Sequence, residues 1–233
     1  MKLCRFVLTL IVATSLAAGT ASAGSISAPS GLNPGDQFRI VFVTDGTTKA
    51  TDTTFTTYDN LVRSEASGTT YNGNSISWNA IVSTSSVNAI DHIGDSTTSS
   101  IPVYLVDGTK VTASDNTSGL WSGTLLHSIS EDIQGVSTVG GVWSGTNYNG
   151  SKGSGVRPVG GTSPFHGNSG VIDLSWIYSP STLVNSTQQH LYGISEVLTV
   201  PSATAAVPEP STAVLAGLGG LVALVYSLKR KRN

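Results

Sequence analysis

The chain has 233 residues, 12 Lys and Arg against 14 Asp and Glu, a formal net charge of −2 and a single cysteine. Six of those cations (Lys2, Arg5, Lys229, Arg230, Lys231, Arg232) lie at the two ends, which leaves residues 24–207 with six cations against 13 acids. That balance excludes nucleic acid as a partner, because phosphate binding needs clustered Lys and Arg.

At the N-terminus Lys2 and Arg5 precede an apolar stretch from Phe6 to Ala18, and Ala21-Ser22-Ala23 has the small-x-small form that signal peptidase accepts. The apolar core is 13 residues long, against the roughly 20 that a spanning helix needs. Residues 1–23 therefore read as a secretory signal, with cleavage between Ala23 and Gly24. Cys4 lies ahead of the apolar stretch, away from the cleavage point, so it leaves with the signal. The mature chain then has no disulfide, thiol or cysteine metal site.

About 180 residues follow, enough for one domain. DQFRIVFVT at 36–44 places apolar residues on both faces and suits a buried strand. TTFTTYDNLVRSEAS at 53–67 puts Phe55, Tyr58, Leu61, Val62 and Ala66 on one helical face, with Thr56 and Asp59 as its start signal. Short strand-like runs come next: SISWNAIVS, PVYLVDGTKV with Asp107-Gly108 as its turn, GGVWSGT, VIDLSWIY and HLYGISEVLTV. One helix among many short strands and long loops makes the fold class α+β.

After a linker at 201–207, the chain shows Pro208-Glu209-Pro210, an uncharged stretch of 17 residues from Thr212 to Leu228, and Lys229-Arg230-Lys231-Arg232. Seventeen helical residues cover roughly 25 Å, sufficient for a thin bilayer core. The four cations act as a stop-transfer signal and stay cytoplasmic, so the large middle portion faces outward. Two prolines hold the outer juxtamembrane backbone extended for a processing enzyme.

Residues 208–233 resemble the PEP-CTERM sorting signal. The resemblance implies an exosortase as partner, a membrane-embedded transpeptidase-like cysteine enzyme of bacteria that make exopolysaccharide. A second resemblance covers most of 36–200. FVTDGT, the helix, SWNAIVS, PVYLVDGTKV, SGLWSGTLLHSI, VWSGTNYNG, LSWIY and HLYGISEVLTV are similar, in order and wording, to an extracellular bacterial family with a C-type-lectin-like fold. That fold implies that the first and last strands pair, closing the domain at 24–200. Where the family commonly has Leu-Tyr-Cys, this chain has Leu191-Tyr192-Gly193, so packing must replace the disulfide.

Chemistry is sparse. Calcium-dependent lectins use Glu-Pro-Asn or Gln-Pro-Asp followed by Trp-Asn-Asp, and residues 24–207 contain none of these. Trp78, Trp121, Trp143 and Trp176 could stack on sugars, but each sits in a strand-like word and reads as core. The WSGT words at 121 and 143 share no flanking similarity and do not make a repeat. His92, His127, His166 and His190 are far apart, and the H-E-x-x-H, G-x-S-x-G, S-x-x-K and phosphate-loop patterns are absent. Asn116 and Asn185 stand in N-x-S/T words that read as ordinary loops.

The sequence thus points to an exported surface or matrix protein, non-catalytic, with no cofactor or metal, anchored transiently by its C-terminal helix. A glycan-binding module directed at exopolysaccharide is the alternative, and a hydrolase whose triad assembles only in space is the third reading.

Overall fold

The structure is a computed structural model that describes residues 24–95 and 100–202. In chain order it contains β1 (Ser25–Ile26), β2 (Gln37–Val43), α1 (Thr56–Glu65), β3 (Thr70–Tyr71), β4 (Asn74–Ser75), β5 (Trp78–Ala80) and the short helix α2 (Ala89–His92). β6 (Val103–Tyr104), β7 (Lys110–Thr112), β8 (Gly141–Trp143), β9 (His166–Asn168), β10 (Tyr192–Ser195) and β11 (Leu198–Thr199) follow. The class is α+β, with α1 as the main helix.

β2 organises the fold. On one edge it pairs antiparallel with β10 near its end and with β11 near its start, Gly193 opposite Phe42 and Leu198 opposite Phe38. On the other edge β6 runs parallel to it, and β5 and β7 complete the sheet in the order β5-β10-β2-β6-β7. Where β10 gives way to β11, Ser195 Oγ accepts the Ile40 N–H at 2.9 Å, replacing the missing ladder carbonyl. The expected pairing of the first and last long strands is present.

Both faces of β2 are buried, as its sequence predicts. Phe38, Ile40 and Phe42 join one core with Tyr58, Val62 and Ala66 of α1 and with Trp78 and Trp143. Val41 and Val43 join a second core with Leu120, Trp121, Trp176, Tyr192 and Ile194. Along β10, Tyr192 and Ile194 face the second core, which leaves Gly193 facing α1. A Cβ at Gly193 would stand 2.5 Å from Phe42 Cε1 and 2.7 Å from Val62 Cγ1. With only a hydrogen for a side chain, Gly193 therefore makes room for an aromatic ring and the helix.

Three expectations need correction. Thr56 and Asp59 do not cap α1: Phe55 holds the cap position without a side-chain bond, and the Asp59 carboxylate accepts the Ala80 N–H at 2.9 Å. VIDLSWIY is a 3₁₀ turn at Leu174–Trp176, because Asp173 accepts the Ser175 N–H at 2.9 Å and so favours a turn over extension. Trp121, expected in a strand-like word, lies in a 3₁₀ turn at Leu120–Ser122, whereas Trp143 ends β8, so the two WSGT words serve different elements, in keeping with their not forming a repeat. The Asp107-Gly108 turn joins β6 to β7 as expected, with the Gly108 N–H on Leu105 O at 3.1 Å.

Candidate functional site

The trafficking residues fall mainly beyond the described structure. Ala23, Pro208, Glu209, Pro210, Lys229, Arg230, Lys231, Arg232 and the expected span at 212–228 lie outside the described residues. Among the described residues no helix is long and apolar enough to cross a membrane. Gly24 is described and exposed, and its carbonyl accepts the Thr70 N–H at 3.2 Å. At the other end Val200 exchanges backbone bonds with Gly35 and Asp36 at 2.9 Å each, so the chain leaves beside the start of β2.

All four tryptophans are buried, which removes them as sugar platforms. Trp121 and Trp143 also serve as donors, to Asp95 at 3.1 Å and to Thr48 O at 3.1 Å.

The histidines have separate partners. His92 Nε2 lies 3.0 Å from Asp59 Oδ1, and its ring stacks on Phe55 with centroids 3.6 Å apart. His166 Nε2 lies 3.1 Å from Ser181 Oγ, itself 2.8 Å from Ser179 Oγ, beside a pocket of about 370 Å³ lined also by Asn168, Ser175 and Gln189. Burial, opposed by the Pro164 backbone, holds His166 below the usual histidine range. His190 Nδ1 faces Thr44 O at 2.7 Å, and His127 Nδ1 faces Lys110 O at 2.7 Å. A hydrolytic triad needs a carboxylate, an imidazole and a hydroxyl in series. Here the two halves sit on different rings: among the described residues His92 has a carboxylate without a hydroxyl, and His166 a hydroxyl without a carboxylate.

A buried charge cluster, also absent from the sequence reading, ties β2 to the loops. Arg39 donates from Nε to Ser195 O at 2.9 Å and from Nη2 to Ile93 O at 2.7 Å, pairs with Asp95, and lies 3.7 Å from Asp115. One guanidinium serves two buried carboxylates. Burial pushes Asp95 up to about 7 despite the pull of Arg39. This cluster is enclosed, and we assign it to holding the loops in place. Asn185, in the second N-x-S/T word, is likewise engaged, donating to Gly161 O at 2.9 Å.

A chain of aromatic rings runs from the surface inward, with Tyr178 half-buried and Phe165 buried. Tyr148 is 47% exposed. Its ring meets Tyr178 edge-on at 6.3 Å, Tyr178 meets Phe165 at 4.7 Å, and the Arg157 guanidinium lies 5.2 Å from the Phe165 ring centre. None of these four was singled out from sequence. The signal that could have found them is charge: residues 133–172 contain no Asp or Glu but include Lys152 and Arg157, inside an otherwise acidic segment. Among the described residues no group of three or more His, Cys, Asp or Glu is placed to hold a metal ion.

No curated protein matches the chain. A family model described as the PEP-CTERM protein-sorting motif matches residues 206–231. The chain therefore carries the sorting signal of an exosortase-targeted surface protein, one that is exported and held transiently at the membrane through its C-terminus.

Proposed function

We propose that the mature chain begins at Gly24, that exosortase processing removes the region from Pro208 onward, and that the product is a non-catalytic protein of the cell surface or extracellular matrix. Residues 24–200 act in this reading as a C-type-lectin-like display domain, and residues 201–207 as its spacer. The observation that carries the reading is the polarity of β2. The exit toward the sorting signal lies beside Gly35 and Asp36, whereas Thr44, at the far end, bonds Leu191, and the adjoining His190 bonds Trp143. Seven strand residues separate the two ends by roughly 20 Å. The chain following β8 thus sets out from the end of β2 opposite the exit. The split of triad components between His92 and His166 supports the absence of catalysis.

Intact mass spectrometry of the protein recovered from the envelope of an exosortase-positive and an exosortase-deficient strain tests this. The expected product lacks residues 1–23 and 212–228 in the first strain and keeps the C-terminal segment in the second. A mature protein retaining Thr212 to Leu228 in the first strain would sink the processing step.

A further inference from the structure

The acid-free segment 133–172 holds two of the six cations found in 24–207, while the other four share the remaining sequence with all 13 acids. The basic part of an acidic domain therefore coincides with the segment that supplies Tyr148, Phe165 and Arg157. Arg157 lies over the Phe165 ring but makes no ion pair among the described residues, in contrast to Arg39 and Arg63. Its side-chain hydrogen bond goes to Ser163 Oγ at 3.5 Å.

The turn at 147–152 presents Tyr148 at its tip, closed by the Asn147 N–H on Ser151 O at 2.8 Å. Beneath it Gly123 adopts a left-handed φ of +86°, and a Cβ there would stand 3.4 Å from Tyr148 and 3.5 Å from Leu174. Leu174 and Ile172 are exposed beside it. Neither the Tyr148 nor the Tyr178 hydroxyl has a hydrogen-bond partner among the described residues. The surface thus offers one exposed ring, two hydroxyls free to bond a ligand and a guanidinium without a carboxylate partner.

We infer that the surface formed by Tyr148, Tyr178 and Arg157, with Phe165 buried behind it, binds an anionic polysaccharide of the uronate type. Pyranose rings present C–H faces that pack on exposed aromatic rings, and their hydroxyls satisfy the two phenols. A ring carboxylate pairs with a guanidinium in a planar, two-pronged geometry, and screening by salt weakens that pairing. The chain's own spacer cannot be the occupant. Residues 203–207 span at most roughly 18 Å and start from the opposite end of β2. The inference rests on the non-catalytic surface reading and names its partner.

The test is affinity electrophoresis and calorimetry of the full chain, held in mild detergent with a chelator present, against polygalacturonate and against neutral dextran. Binding to polygalacturonate is expected, weaker in high salt and indifferent to chelator, with little retention by dextran. Tyr148→Ala and Arg157→Gln should each weaken binding about tenfold, a loss typical of one removed ring or cation contact, while melting temperatures stay unchanged. Absence of binding, equal binding to dextran, or unaltered binding by both variants would overturn the inference. Self-association by sedimentation that both variants abolish would overturn it in favour of a second copy. Loss of binding in a chain still delivered to the surface leaves the sorting reading intact, whereas release of new reducing ends from polygalacturonate sinks the non-catalytic reading alone.

Discussion

Closure of the fold by its own C-terminal strands can be tested by ending the chain at Gln189. The deletion removes Leu191, Tyr192 and Ile194, each fully buried, and Leu198, 6% exposed. At about 1.5–3 kcal/mol for each fully buried apolar side chain, the loss is roughly 6–12 kcal/mol. That figure matches the whole stability of an ordinary domain, about 5–15 kcal/mol. The backbone loss adds to it, since β2 would forfeit its antiparallel partners along one edge and β5 would lose its link to the sheet. The Tyr192 hydroxyl bond to Trp176 O at 2.9 Å, inside the second core, goes as well. Chains comprising 24–202 and 24–189 would be compared by urea unfolding followed by tryptophan fluorescence and circular dichroism. The longer chain should unfold cooperatively; the shorter should show no cooperative transition and should expose its tryptophans in buffer. A 24–189 chain with the midpoint of 24–202 would refute both the closure and the division of β2 between two cores.

Gly193→Ala should cost about 1–3 kcal/mol, because the added methyl meets Phe42 and Val62 at 2.5–2.7 Å, and Phe42→Leu in the same chain should recover part of it in urea titrations. Asp95 is raised from 3.8 to about 7 by burial, so the folded state holds a proton that the unfolded state has released. Stability should therefore fall as pH rises from about 4 to about 7, at up to about 1.4 kcal/mol per pH unit, and Asp95→Asn should flatten that slope in melts across the window. Replacing Arg39 by Met leaves two buried carboxylates facing each other and should cost about 3–5 kcal/mol at neutral pH, less at pH 4. Finally, residues 24–202 contain no cysteine, so the melting temperature of that chain should not move with dithiothreitol.

Much of the fold was legible because its longest elements have strong periodic patterns. β2 reads as a strand buried on both faces, and Tyr58, Val62 and Ala66 mark the buried face of α1 that the structure confirms. Two features misled. Asp59 sits where a helix start would want an acid, yet its carboxylate serves Ala80 and His92, 21 and 33 residues away in sequence. In VIDLSWIY the apolar residues suggest a strand, but Asp173 competes for the local backbone and turns the chain, leaving Ile172 and Leu174 exposed and Trp176 and Ile177 buried. Two-residue strands such as β1, paired in parallel with β3, are too short to leave any periodic trace.

The polar clusters were illegible for a different reason: their members are distant in sequence, and no spacing rule links Arg39 to Asp95 or His166 to Ser181. The chain of aromatic rings is an intermediate case. Its residues look like ordinary loop aromatics until charge is counted by segment, and the acid-free stretch then marks the same loops that carry Tyr148 and Arg157. Its position follows from closure. Because β11 sits on the start of β2 and β10 on its end, one strand fixes both the point where the chain leaves for its sorting signal and the end from which the loops after β8 project. The loops after β8, acid-free from 133 to 172, therefore start from the end of β2 opposite the tether. Reversing the local charge there, with Arg157→Glu and Lys152→Glu, should leave sorting untouched and change only what the exported protein retains.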